Sequence, residues 1–346
     1  MTLSIEAFRV KYNYQRTTPI LQQYLDIKYQ HQDCIILFRL GDFYELFYED
    51  AIEVSKILSL TLTKRSNKDE NVPMCGVPYH AANTYLPKLV EEGYKIAICE
   101  QLETPEEASK AVVNREVVRI ITQGTIFEED LLEQQSPNYL ASITLSSQQT
   151  ALAYLDISTL DFSTTKLNID SLASEIARIN PKEIIISQNI DQDLRNILKS
   201  YEAKLTFQVD SYFAEQKCRR SIENFYKINN LQSIGELSSL EVSAIGSILQ
   251  YVELTQKSNL PKLPFPKIVS SNKLLLIDSA ARKGLEILCN NNGKIKGTTF
   301  DAINSTNTKC GARLIYKMLA SPLTEIEQIR FRHDLIDFFA THQHIS

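Results

Sequence analysis

The stretch Leu40-Gly-Asp-Phe-Tyr-Glu-Leu-Phe-Tyr-Glu-Asp50 decides how the first part of this chain is read. It follows Cys34-Ile-Ile-Leu-Phe38, an apolar run with the character of a buried strand. Gly41-Asp42 is a turn signal, and the residues after it are extended. In an extended segment alternate side chains share a face, so Tyr44 and Leu46 point one way and Phe43 and Glu45 the other. Carboxylates are not buried without a partner. If Tyr44 and Leu46 face the core, Phe43 therefore stands beside Glu45 on an exposed or groove-lining face, where an aromatic invites something to stack on it. The same pattern also permits Phe43, Leu46 and Phe47 all to be core, with Glu45 reaching solvent.

Upstream, apolar residues at 20, 21, 24, 25 and 27 predict a helix over 18–31. Downstream, positions 51, 54, 57 and 58 predict another over 51–58. Residues 60–63 alternate like a strand and end in Lys64-Arg65, and the two prolines and glycine of 72–80 predict a loop. A helix over 82–92 stops at Gly93, and strands are expected at 94–99 and 115–122. Thr104-Pro-Glu-Glu107 carries a helix-start signature. This α/β unit ends near residue 125. From 139 the grammar changes: strands at 139–145, 150–157 and 161–167, a helix with Asp170 at its N-cap, and a buried strand at 183–187. The order β-β-β-α-β suggests a ribonuclease-H-like sheet. A helix (191–201), a strand (204–209) and a helix (211–226) follow. A long helix over 239–257 runs into a proline-rich linker, 257–266. Beyond the run 273–278 come a helix capped by Asp278 and helices at 299–320 and 324–342, separated by Pro322.

At 346 residues the chain exceeds the usual single-domain size, so two or three domains are expected. No apolar run approaches the roughly 20 residues of a membrane span, and residues 1–9 lack the layout of a signal peptide, which predicts a cytoplasmic protein. The six cysteines are scattered singly and the five histidines do not sit at zinc spacing, so no metal site is expected. Net charge is −5, and residues 1–124 carry fourteen Lys/Arg against seventeen Asp/Glu. Binding to nucleic acid would have to rest on local patches and shape rather than on a basic field.

Taken together, Gly41-Asp-Phe-Tyr-Glu-Leu-Phe47, Leu62-Thr-Lys-Arg65, Pro73-Met-Cys-Gly-Val-Pro-Tyr-His-Ala81, Ala97-Ile-Cys-Glu-Gln101, Arg115-Glu-Val-Val-Arg119, Leu155-Asp-Ile-Ser158, Leu285-Glu-Ile287, Thr308-Lys-Cys-Gly-Ala-Arg313 and Pro322-Leu323 make the chain resemble the N-terminal portion of a bacterial MutS-type DNA mismatch repair protein. The resemblance implies an α/β multidomain chain: a mixed α/β mismatch-recognition domain (1–125), a ribonuclease-H-like connector (130–238), and a connecting helix, linker and start of an all-α lever domain (239–346). It implies that Phe43 is a wedge for the minor groove of duplex DNA at mismatches or small loops, and that Glu45 hydrogen-bonds the displaced base. Inserting an aromatic unstacks a base step and kinks the duplex, and that cost is lowest where pairing is already lost. Lys64, Arg65, Arg115 and Arg119 are candidates for phosphate contacts. Met74 and His80 sit on the segment expected to approach the groove.

Asp156 and Asp161 raise the alternative of a metal-dependent nuclease on the connector, which the resemblance instead makes non-catalytic. A second alternative is a protein-interaction fragment without DNA binding of its own. The chain contains no Gly-x-x-x-x-Gly-Lys-Ser/Thr, and Gly293-Lys-Ile-Lys-Gly-Thr298 has the wrong spacing. Neither an enzymatic activity nor a cofactor is therefore expected of these residues; ATP and Mg²⁺ would belong to the family's C-terminal ATPase domain. The clamp and main dimer interface of this dimeric family would be missing too, as in a separate reading frame or a truncated product. The resemblance further implies that a MutL-type protein docks on the connector. Two departures stand out: Gln123 replaces a proline, and Leu160 replaces a glycine.

Overall fold

The computed structural model describes residues 3–67, 70–103, 113–128, 131–133, 135–257, 260–269 and 273–342. The helix start expected at 104–107 lies outside the described residues. The chain divides into two compact units, one of residues 1–132 and 250–262, the other of residues 133–249 and 263–346.

The first unit contains α1 (Ile5–Lys11), α2 (Pro19–Gln30), β1 (Cys34–Leu40), β2 (Phe43–Phe47), α3 (Tyr48–Leu58), β3 (Thr63–Asn67), β4 (Glu70–Pro78), α4 (Ala82–Glu91), β5 (Lys95–Gln101) and β6 (Arg115–Ile121). Its sheet runs β3-β4-β2-β1-β5-β6 and is antiparallel except between β1 and β5. Both faces are covered. Ile35, Leu37, Tyr44 and Leu46 pack with Val54 of α3 and Leu86 and Leu89 of α4. Ile36, Phe38 and Phe47 pack on the other face with Leu21, Tyr24 and Leu25 of α2. Cover on both sides is why the first five residues of β1 are all apolar. The buried Asp50 carboxylate ties three elements together, accepting from Tyr24 Oη (2.8 Å), Lys28 Nζ (2.8 Å) and the Ile36 N–H (3.0 Å).

Two expectations for this unit need correction. The strand read at 60–63 begins only at Thr63 and carries Lys64 and Arg65 within it. Residues 72–80, read as a loop, are mostly strand β4. Its prolines are tolerated because β4 pairs with β3 over 70–74 and with β2 over 74–78. Pro73 and Pro78 each lie where only one neighbour is paired, so neither removes a bond from a doubly paired stretch.

The second unit contains β7 (Tyr139–Ser146), β8 (Gln149–Asp156), β9 (Asp161–Asn168), α5 (Ile169–Ile179), β10 (Glu183–Ser187), α6 (Gln192–Leu198), β11 (Leu205–Gln208), α7 (Glu215–Tyr226), α8 (Ser239–Gln256, its last residues assigned to the first unit) and β12 (Lys267–Ile268). The sheet order is β11-β10-β7-β8-β9-β12. An antiparallel meander, β7 to β9, is followed by β10 parallel to β7 and β11 parallel to β10, the topology expected of the β-β-β-α-β order. Asn168, not Asp170, stands at the N-cap of α5, because β9 runs straight into the helix with the Asn168 side chain still bonded across to Gln149 (2.6 Å). α8 opens with a reciprocal cap, Ser238 N–H to Glu241 (3.0 Å) and Glu241 N–H to Ser238 Oγ (3.4 Å).

The helical segment comprises α9 (Ser279–Gly284), α10 (Thr299–Ile303), α11 (Lys309–Ala320) and α12 (Ile326–Thr341). The single helix expected at 299–320 is two. Asn304 leaves helical geometry after α10, and Thr308 Oγ1 accepts from the Gly311 N–H (3.0 Å) to start α11. Phe300, Tyr316 and Leu288 form their shared core. Four of the six cysteines, Cys34, Cys75, Cys99 and Cys218, are buried, while Cys289 and Cys310 are exposed.

Candidate nucleic-acid interface

Leu40 pairs with Phe43, which leaves Gly41-Asp42 as a two-residue hairpin turn. Gly41 has φ +59 and open space around it, so the backbone conformation rather than crowding calls for glycine there. Along β2, Phe43 is 47% exposed, Tyr44 and Leu46 are buried, and Glu45 is half-buried. The alternation therefore holds from 43 to 46. It fails at Phe47, which shares the Phe43 face yet is 0% exposed, because α2 covers it there: the Tyr24 ring packs edge-on at 5.1 Å. Phe43 sits at the hairpin end of the same face, left uncovered.

Glu45 has a partner that its sequence neighbours do not reveal. Arg65 Nη1 donates to its carboxylate at 2.9 Å, and the same guanidinium lies 5.6 Å from the Phe47 ring. Burial raises the Glu45 pKa, outweighing the nearby charges of Arg65 and Arg115, which lower it. Across the strand, Gly76 packs closely on β2: a Cβ there would sit 3.2 Å from the Tyr44 carbonyl, tighter than most such contacts, and in ordinary contact with Glu45 Cγ at 3.7 Å.

The remaining candidates separate. Lys64 is exposed on β3, next to Arg65, and His80 is exposed beside the Tyr79 ring (5.8 Å). Met74 is half-buried opposite Phe47 and packs into the α2-side core. Arg115 is 6% exposed and turned inward, donating to the Arg39 carbonyl (2.7 Å), Gln23 Oε1 (3.0 Å) and the Val113 carbonyl (2.9 Å). The guanidinium ties β6 to α2 and to the end of β1. Arg119 is likewise engaged, holding both Glu128 oxygens and stacking 4.2 Å from Phe127. Hydrogen bonds and charge from Arg119 outweigh the burial that would raise Glu128, so that carboxyl titrates below its ordinary range.

In the second unit Asp156 and Asp161 face each other across β8 and β9. Asp156 is buried and accepts from Asn138 N–H (3.1 Å), Ser158 N–H (2.9 Å) and Ser158 Oγ (2.6 Å). Asp161 accepts from Tyr139 Oη (2.7 Å) and Lys317 Nζ (2.6 Å). Both carboxylates hold structure. Among the described residues no three His, Cys, Asp or Glu side chains converge as a metal site. The loop around Gly293 joins α9 to α10 and is organised by Asn290 Oδ1, which accepts from the N–H groups of Asn292 (2.9 Å) and Lys294 (3.0 Å).

Family models of MutS domains I, II and III match residues 18–130, 138–264 and 280–346. The chain belongs to the MutS family. It is 49% identical over 345 residues to the DNA mismatch repair protein MutS of Orientia tsutsugamushi and 48% identical over 347 residues to that of Rickettsia felis. In both, 97% of this chain is covered but only 39% of the relative, so the chain spans about two fifths of the length of the MutS proteins it matches. The Phe43 hairpin lies in the part matched to MutS domain I, and Asp156 in the part matched to domain II. Among the described residues no helix is long and apolar enough to cross a membrane.

Proposed function

We propose that this MutS-family chain recognises mismatched or unpaired bases in duplex DNA by inserting the Phe43 ring into a base step from the minor groove, as an initiating event of DNA mismatch repair. The observation that carries this reading is the isolation of one ring. Phe43 is exposed at the end of a glycine-turned hairpin, while Phe38, Tyr44 and Phe47 of the same two strands are buried. Unstacking a step costs about a few kcal/mol, so insertion favours steps that have already lost pairing. Glu45 hydrogen-bonds the displaced base, and its charge disfavours intact backbone, which sharpens discrimination. Arg65 and Lys64 lie on the strand beside it as contacts to the groove or backbone. Within this reading residues 1–125 recognise DNA, 130–238 connect and offer a surface to a MutL-type partner, and 239–346 begin the lever. We assign no catalytic residue to these segments; ATP and Mg²⁺ belong to the ATPase domain expected of the family, and the cytoplasm is the expected compartment.

The test is fluorescence anisotropy with duplexes carrying G·T, an unpaired T, or no defect. Tighter binding to the defective duplexes, lost in Phe43→Ala, is expected. Equal weak binding to all three, unchanged by Phe43→Ala, would sink the wedge and leave a protein-interaction role.

A further inference from the structure

The hairpin that presents Phe43 is gripped from the opposite side of the sheet. Arg39 pairs directly with Tyr44 across β1 and β2, so its side chain leaves on the Tyr44 face, away from the Phe43 ring. Its Nε donates to the Gly41 carbonyl. Its guanidinium lies 3.6 Å from the centroid of the Tyr79 ring and 5.7 Å from that of Tyr44. Nη1 stands 3.6 Å from one oxygen of Glu100, whose other oxygen accepts from Tyr44 Oη. The N–H of Tyr79, the residue under the guanidinium, donates to the Asp42 carbonyl at 2.9 Å. Both carbonyls of the two-residue turn are thereby held, one by the Arg39 side chain and one by the backbone of the residue it stacks on. Arg115 in turn holds the Arg39 carbonyl.

We infer that Arg39, with Tyr79 as its platform, is a positioning residue for the wedge. The inference rests on the wedge reading. A ring driven between bases is pushed back by the stacking it disrupts, and the softest point behind it is the Gly41-Asp42 turn. If the turn bends, the hairpin yields instead of the duplex, and selectivity for deformable steps is lost. A planar guanidinium meets the need because it donates sideways to the turn while lying flat on an aromatic face; a lysine ammonium cannot do both. Apart from Glu100 of β5, the contacts around Arg39 lie at the hairpin end, so its loss should loosen presentation of Phe43 more than it weakens the unit's core.

The test uses the full chain and four variants, Arg39→Met, Arg39→Lys, Tyr79→Ala and Tyr79→Phe, alongside Phe43→Ala. Two readouts are taken: the affinity ratio of unpaired-T to matched duplex, and amide hydrogen exchange at Tyr79. Arg39→Met, Arg39→Lys and Tyr79→Ala should bring the ratio to that of Phe43→Ala without weakening matched-duplex binding. Tyr79→Phe keeps the platform and should keep the ratio. Loss of a charge-assisted hydrogen bond at the turn should speed Tyr79 exchange in the two Arg39 variants by about tenfold, with the amides of Ile96 and Ala97, at the end of β5 away from Glu100, unchanged. Wild-type exchange in Arg39→Met overturns the inference whatever the DNA result. So does a Tyr79→Phe loss equal to that of Tyr79→Ala. If Phe43→Ala removes the mismatch preference while Arg39→Met keeps it, the brace alone fails. If Phe43→Ala leaves the preference intact, the wedge fails and the inference with it.

Discussion

Phe43→Ala and Phe47→Ala remove the same atoms from one strand and one face of the sheet, yet their consequences should differ several-fold. Phe47 is 0% exposed, with Tyr24 at 5.1 Å and Phe38 at 6.4 Å from its ring. Deleting such a ring leaves a closed cavity and costs about 3–5 kcal/mol. Phe43 is already 47% exposed. Full burial of a side chain this size is worth about 1.5–3 kcal/mol, so its half-burial is worth roughly 1 kcal/mol, and solvent fills the space left behind. Because the chain forms two units that need not unfold together, the stabilities are best read by hydrogen exchange of β1 and β5 amides under increasing urea. Phe43→Ala should lower those opening energies by about 1 kcal/mol or less and Phe47→Ala by at least about 3. Equal losses would mean that Phe43 is a core ring, and the case for stacking on DNA would collapse.

Glu45→Gln should stabilise the first unit near neutral pH. The raised Glu45 pKa means that ionising it costs the folded state above that pKa, a cost absent below the ordinary 4.5, so the urea-midpoint gain should vanish at pH 4. The same variant should also make the salt dependence of matched-duplex binding steeper by about 0.9, as Arg65 becomes available to a phosphate; an unchanged slope counts against Arg65 lying at the DNA. Glu128 has the opposite sign: its lowered pKa contributes stability that is complete above 4.5 and lost as pH falls through the folded value. The melting difference between Glu128→Gln and the parent should therefore narrow on acidification, and a widening would refute the Arg119 pairing. Leu160 holds φ +58 while 44% exposed, so Leu160→Gly should relieve about 1–2 kcal/mol of left-handed strain against about 0.5–1 of glycine entropy; net destabilisation of the second unit would contradict this. Gly246→Ala should cost about 1–3 kcal/mol despite alanine's better helix propensity, because its Cβ would fall 2.3 Å from Cys218 Cβ and 2.6 Å from Cys218 Cα. A rise in melting temperature would show that α7 and α8 can separate freely.

Local periodicity made α2, β1, the β7–β9 meander and α5 legible in the sequence, because the spacing of apolar residues records which side of an element is buried. The motif strings pointed to the family. Elements whose existence depends on neighbours were not legible. β4 is a strand through two prolines only because β2 and β3 each pair with part of it, and two-residue β12 exists only beside β9. The break between α10 and α11 rests on a threonine cap that a continuous helical pattern conceals.

The candidate site divides in the same way. The sequence by itself determined that Phe43 and Glu45 share a face beside a glycine turn, since backbone pleating imposes that parity. It could not tell Phe43 from Phe47, which has the same parity; that depended on where α2 stops covering the sheet. Nor could it assign the arginines, because a charge finds its partner through space. Arg65 meets Glu45 across twenty residues and Arg115 meets Arg39 across seventy-six. Only the tertiary structure, by setting what lies beside each charge, turned Arg115 inward and placed Arg39 behind the hairpin.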